Sequence, residues 1–237
     1  MREYVVSLTS IPDRVTNIHY TLETIINQTI KPKKIILNIP YVYTARYEEA
    51  IIQNEILDEL KNKYDIVINM INIDEGPISR LTGLFQFMDQ FTENTYIILV
   101  DDDALYKSYA IKFFDNCVQD NNDIKVASYY VYQYKNIRVG QCCDCFFIKK
   151  THITKFEEFY NKVRCIDRIQ YHDDLVISFF FHINKINIYN ILSPYKHIIY
   201  QDSINKSIKS LCNLNEDYSR IELNQYLYIK LNEIFNT

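Results

Sequence analysis

The chain has 237 residues, 48% apolar and 24% charged, with a formal net charge of −4; this composition can bury a core and offers no basic stripe to track a nucleic-acid backbone. Glycine is the outlier, with 3 residues where average usage of ~7% would give roughly 17. That scarcity excludes the glycine-rich turns of classical dinucleotide sites and P-loop NTPases. No apolar run approaches the ~20 residues of a spanning helix, and the start has no secretory pattern. The expectation is a soluble, cytoplasmic protein with no membrane span and no nucleic-acid partner. Its six cysteines are then expected to be reduced. Cys142, Cys143 and Cys145 lack the spacing of paired zinc ligands and read as small apolar residues of a buried strand.

Tyr4 to Leu8 predicts a short strand closed by the turn Ser10-Ile11-Pro12-Asp13. Ile18, Leu22, Ile25 and Ile26 recur as one face of a helix, and Lys34 to Ile39 reads as a second strand closed by Pro40. A second helix is predicted from about Arg46 to Lys63, a third strand over Asp65 to Ile73, a third helix from Pro77 to about Gln90 and a fourth strand over Thr95 to Val100. Strands alternating with helices imply an α/β fold with a parallel sheet covered by helices. The second half is less regular. It predicts a helix near Ser108 to Val118, strands over Val126 to Tyr134 and Cys143 to Ile148, a helix from Asp173 through Phe181, and a last helix from Ser219 to Phe235 opened by a capping box of Ser219 and Glu222. No Pro-, Gly- or Ser-rich linker divides the chain, so one domain is expected, with residues 1–104 as a regular half and 105–237 as an elaborated one.

The chemistry is concentrated in three places. Asp101-Asp102-Asp103 follow an apolar strand, where three adjacent carboxylates repel one another unless something positive lies nearby. Asp101 and Asp103, two apart, project to one side and suit a hard divalent ion, Mg²⁺ or Mn²⁺; the alternative is an acidic turn capping the next helix. Asp74-Glu75-Gly76-Pro77-Ile78-Ser79-Arg80 holds one of the three glycines, and Gly83 lies just beyond; an Asp at a strand end and an Arg in a helix's first turn suit a nucleotide diphosphate, although a Gly-Pro helix start needs no ligand. Asp173 and Asp174 precede an apolar stretch, where one can cap the helix and the other serve as general base, or both can act as helix-end partners.

Together these segments resemble the GT-A nucleotide-sugar glycosyltransferases, specifically a family-2-like, DxD-containing branch. The resemblance is carried by Val5 to Arg14, Thr24 to Thr29 with Lys31-Pro32 and the strand after them, Asp74 to Pro77, Asp101 to Asp103 with Tyr106, and His172-Asp173-Asp174, and spans roughly residues 3 to 185. It implies a mostly parallel, Rossmann-like sheet flanked by helices, with an irregular α+β C-terminal part. Residues 1–104 would bind the nucleotide sugar and 105–237 the acceptor. The implied activity is metal-dependent hexosyl or N-acetylhexosaminyl transfer from a nucleoside-diphosphate sugar, UDP favoured, to a hydroxyl of a glycan, protein or small molecule, with inversion. Asp101 and Asp103 match the positions that hold Mn²⁺ or Mg²⁺ against the donor diphosphate, and Asp101 and Asp102 are expected among the donor-binding residues. Thr9, Ser10, Pro12, Arg14 and Asp74 match nucleoside contacts, and Arg80 a phosphate contact. Asp173 or Asp174 matches the base. Many relatives take a third metal ligand from a C-terminal His, for which His197 is a candidate that no motif marks, and a surface histidine is the competing reading.

Three rival readings remain at this level. A haloacid dehalogenase-like phosphatase also follows an apolar strand with DxD, but has Thr or Val where Leu105 stands. A sugar nucleotidyltransferase needs a glycine-rich first turn, and Ser7 to Arg14 contains no glycine. A non-catalytic nucleotide- or glycan-binding module would have less reason to keep Asp101, Asp103, Arg80 and Asp173 together.

Overall fold

The computed structural model describes residues 2–45, 47–191 and 219–236. Its centre is a seven-stranded sheet in the order β3-β2-β1-β4-β8-β5-β9. The strands are β1 (Glu3–Thr9), β2 (Lys34–Pro40), β3 (Val67–Ile71), β4 (Thr95–Leu99), β5 (Val126–Ser128), β8 (Phe146–Lys149) and β9 (Ile188–Asn190), while β6 (Val131–Tyr134) and β7 (Ile137–Gly140) form a separate antiparallel hairpin. All central pairings are parallel except those of β8, which runs against both β4 and β5. The sheet is therefore mostly parallel and doubly covered, as its near-continuous apolar strands require.

Alternation along the strands divides the core into two layers. Tyr4, Val6 and Leu8 of β1 join Leu37, Ile98 and Phe147 under α1 (Ile18–Ile26), α2 (Asn54–Tyr64) and α4 (Ala110–Asp120). Val5, Ile36, Ile97, Leu99 and Phe146 meet the opposite layer of α3 (Ser79–Thr82), α5 (Phe156–Val163), α6 (Asp173–Ile183) and α7 (Arg220–Phe235). Period-two alternation sends successive side chains to opposite faces, and both faces are apolar because both are buried.

Several predicted elements are corrected. The long third helix is broken: Gly76–Ile78 and Phe85–Gln90 are 3-10 turns on either side of the four-residue α3. The second helix starts at Asn54, not near residue 46, and the predicted strand over Val126 to Tyr134 is two strands that belong to different sheets. The cysteine segment is a turn with Cys145 at φ +61°, and regular strand structure begins only at Phe146. Cys142 and Cys145 are nevertheless buried, and the five described cysteines are free thiols. The polar stretch after residue 134 contains β7, and α5 and β9 were not predicted. The capping box forms as expected, with Ser219 Oγ accepting from the Glu222 amide and the Glu222 carboxylate accepting from the Ser219 amide at 2.8 Å. Among the described helices none is long and apolar enough to cross a membrane.

Two glycines flank α3 for steric reasons. Gly76 has φ +65°, in the left-handed region, and a Cβ there would lie 2.6 Å from the Gln170 carbonyl oxygen. A Cβ on Gly83 would lie 2.3 Å from Asn38 Oδ1 and 2.8 Å from the Ser79 carbonyl oxygen, both inside a packed interior. Gly83→Ala is expected to cost about 1–3 kcal/mol as overpacking. Urea unfolding reads this as a lowered midpoint, and an unchanged midpoint would refute the close approach.

Candidate functional site

The parallel strands β1 to β4 all end at one edge of the sheet, the edge at which open α/β folds bind ligands. Ser10 to Arg14 leave β1 there, Asp74 leaves β3, Asp101 to Asp103 leave β4, and α6 brings Asp173 and Asp174 to the same place. The positive charge that three adjacent carboxylates require is supplied within the chain by two arginines. Arg14 pairs with Asp102 at 3.0 Å and with Asp103 at 2.8 Å, and Asp102 also accepts from Ser10 Oγ at 2.6 Å.

Arg80 is the central cation. Its residue is only 5% exposed, and its guanidinium bridges elements far apart in sequence. Nε and Nη2 donate to Asp173 Oδ2 at 2.8 and 2.7 Å, and Nη1 donates to the Val100 carbonyl at 3.0 Å and to Asp101. Burial opposes that charge, but Asp173 and Asp101 outweigh it and hold Arg80 protonated. Tyr106 braces the same loop: its hydroxyl accepts from the Asp101 amide at 2.9 Å and donates to the Cys143 carbonyl at 3.0 Å.

The two aspartates of α6 occupy different environments. Asp173 accepts from Arg80 and, through Oδ1, from the Asp174 amide at 3.0 Å. Asp174 Oδ1 accepts from the Cys142 amide at 2.9 Å. Burial and then the neighbouring Asp173 push its carboxyl up to about 7, against the opposing pull of Arg80. His172 caps the helix, with Nδ1 accepting from the Leu175 amide at 3.4 Å, and burial with the charge of Arg220 lowers it to about 3, so it is neutral. A neutral cap leaves the helix N-terminus to favour the aspartates.

Other expected site residues are placed differently. Asp74 is taken up by backbone amides: Oδ2 accepts from Thr44 and Ala45 at 2.9 and 2.8 Å, and Oδ1 from Gly76 at 3.0 Å. It thus pins the segment after β2 over the sheet edge. Thr9 Oγ1 donates to the Asn38 carbonyl at 2.8 Å on the neighbouring strand, and Pro12 lies half-buried in the turn that delivers Arg14. His197 lies outside the described residues.

Two carboxylate groups bear on a metal. Asp101, Asp102, Asp103, Asp173 and Asp174 outnumber Arg14 and Arg80 by five to two. Burial, then Asp102, push Asp103 up to about 6 despite Arg14, and for a metal to be held at that loop Asp101 would have to release Arg80 or Asp103 release Arg14. Mg²⁺-type ions fit such a place, using one or two carboxylates, water and substrate phosphates. Cys142, Asp173 and Asp174 also offer ligand atoms within 4.8 Å of one another. That group suits a hard ion poorly, because burial and Asp174 keep the Cys142 thiol protonated and Arg80 already occupies Asp173.

No family model and no curated protein matches the sequence. Solved structures do match. Residues 1–349 of S. aureus TarS, in complex with UDP, superpose with a TM-score of 0.53 at 14% identity, covering 99% of this chain and 72% of that one. The longer S. aureus TarS structure gives 0.50 at 12% identity, covering 83% of this chain but only 36% of that one. The 4-diphosphocytidyl-2C-methyl-D-erythritol synthase of Anaerococcus prevotii gives 0.51 at 14% identity, covering 84% and 92%. The fold of this chain is therefore the α/β fold, a mostly parallel central sheet flanked by helices, that these solved structures share.

Proposed function

We propose that this chain transfers a sugar from a nucleoside-diphosphate sugar, UDP favoured, to an acceptor hydroxyl, with inversion at the anomeric carbon and with Mn²⁺ or Mg²⁺ as cofactor. The observation that carries this reading is the convergence of Asp101 and Asp173 on Arg80, with Asp102 and Asp103 held beside them by Arg14 and Asp174 next in the chain, at the ligand-binding edge of the sheet. The fold shared with the UDP complex of TarS supports it.

Asp101 and Asp103 would hold the metal, which when bound offsets negative charge on the leaving diphosphate. Asp102 is fixed by Ser10 and Arg14 and shapes the loop from below. Arg80, its donors directed at Asp101, Asp173 and two carbonyls, aligns the donor loop with α6. Of the two α6 aspartates, Asp174 is the general base in this reading: Asp173 is neutralised by Arg80, whereas Asp174 titrates near neutrality and can accept a proton from the acceptor hydroxyl.

The test is calorimetric titration of UDP and UDP-sugars with and without Mn²⁺, followed by release of UDP. Wild-type protein is expected to bind UDP at least tenfold more tightly with Mn²⁺, and Asp103→Ala to lose that metal dependence; metal-independent binding in both would refute the cofactor assignment. The likeness to the cytidylyl enzyme favours a second reading, nucleotidyl transfer. Pyrophosphate release from CTP or UTP with a sugar phosphate, in place of UDP release, would select it. Phosphate release from a phosphate monoester without nucleotide would select a phosphatase.

A further inference from the structure

A buried polar ladder crosses the sheet beneath α3. Ser7, Asn38 and Asn69 stand in the middle of the otherwise apolar β1, β2 and β3 and are 0%, 0% and 5% exposed. Asn38 and Asn69 are register partners. Asn69 Nδ2 donates to Asn38 Oδ1 and to the Gly83 carbonyl, both at 2.8 Å. Asn38 Nδ2 donates to Ser7 Oγ at 2.9 Å, and Ser7 Oγ donates to the Arg80 carbonyl at 2.5 Å. Gln86 Nε2 closes the outer end on Asn69 Oδ1.

This ladder completes a helix too short to satisfy itself. In a longer helix the Leu84 amide would reach the Arg80 carbonyl, four residues back. Here it reaches Leu81 at 3.1 Å instead, and the sheet's own side chains take the Arg80 and Gly83 carbonyls. The approach is so close that position 83 has no room for a Cβ against Asn38. A parallel strand buried on both faces is ordinarily filled with Val, Ile and Leu, and a fully satisfied polar network in such a core specifies one geometry.

We propose that Ser7, Asn38 and Asn69 are positioning residues that fix the height and rotation of α3, so that Arg80 meets Asp101 and Asp173 at once. The kinetic consequence rests on the transferase reading; the structural consequence does not.

Ser7→Ala removes the hydroxyl with almost no change of volume, and Ser7→Thr restores it. Leu60→Ala, a buried change in α2 on the other face and away from the site, controls for general loss of stability. Solvent exchange of the Arg80 Nε–H, read by NMR, is expected to quicken about tenfold or more in Ser7→Ala and to return toward wild type in Ser7→Thr. Turnover of the donor is expected to fall about tenfold in Ser7→Ala with its KM within about threefold, because the fault is one of alignment. Leu60→Ala lowers the melting temperature and leaves Arg80 exchange and turnover in place. Unchanged Arg80 exchange in Ser7→Ala, or the same acceleration in Leu60→Ala, overturns the proposal. Should wild-type protein turn over no nucleotide sugar, the exchange comparison still decides the proposal, and it is the transferase reading that has failed.

Discussion

Asp174→Asn is expected to abolish transfer and, above neutral pH, to make the protein harder to unfold. A positioned general base contributes roughly 10²–10⁴ in rate, so turnover should fall by about that factor while UDP and metal binding, which the proposed function assigns to the other side of Arg80, should change little. The stability effect follows from where the proton sits. An unfolded aspartate ionises near ~3.9, whereas burial and Asp173 push folded Asp174 up to about 7. Between those values the unfolded chain has released a proton that the fold retains. The contribution of Asp174 is thus most favourable below about pH 4, declines as pH rises, and is a full penalty above about pH 7. Asparagine has no proton to lose, and its Oδ1 can still accept from the Cys142 amide that Asp174 now receives. The gain at pH 8 is of order 2–4 kcal/mol, or several degrees in melting temperature at ~2–4 °C per kcal/mol for a chain this size. Thermal unfolding of both proteins at pH 4, 6 and 8, beside initial rates, checks both halves. A stabilisation as large at pH 4 as at pH 8, or retained turnover, would remove Asp174 from the role of base.

The first half of the fold was legible because its strands are short apolar runs bounded by turn residues and its first helix carries a clean apolar face. The second half was harder for identifiable reasons. β7 reads Ile137-Arg138-Val139-Gly140, an alternation too short to stand out in polar surroundings, and its partner β6 adjoins β5 in sequence although the two lie in different sheets. In α5 the signal is present but confined to eight residues, since buried Phe156, Phe159, Tyr160 and Val163 fall at helical spacing. The predicted third helix, Pro77 to about Gln90, breaks at Gly83, where the backbone lies too close to Asn38 for any Cβ and this contact outweighs the apolar periodicity.

At the site, residue types were informative and pairings were not. Crowded aspartates after β4 demand positive charge, which sequence can state. That Arg14 and Arg80 supply it depends on contacts 89 and 21 residues apart in sequence, and the same guanidinium reaches Asp173, 93 residues away. The different surroundings of Asp173 and Asp174 likewise depend on which one Arg80 reaches. The polar ladder did leave a trace: a Ser or Asn in the middle of each of three apolar strands is an anomaly that a strand pattern tolerates and a buried sheet must explain.

Arg80→Met tests whether that shared guanidinium holds the two halves of the site together. Methionine fills similar volume but leaves Asp173, Asp174 and Asp101 facing one another without their common cation, and removes the guanidinium donor from the Val100 carbonyl. Removing one partner of a buried ion pair costs about 3–5 kcal/mol, far more than the pair contributes over an apolar substitute, because a charge is left uncompensated. The expected deficit in urea unfolding at pH 8 is of that order. At pH 5 it should be visibly smaller, because carboxylates crowded without a cation take up protons under mild acid. Equal deficits at both pH values would mean that packing, not charge, was lost. If the charge on Asp173 is the main cost, Arg80→Met/Asp173→Asn recovers a good part of the loss, so the two changes together cost less than their sum. Transfer should not return in the double variant, since its stability no longer depends on the link between the loop after β4 and α6, whereas the alignment of Asp101 with Asp174 still does.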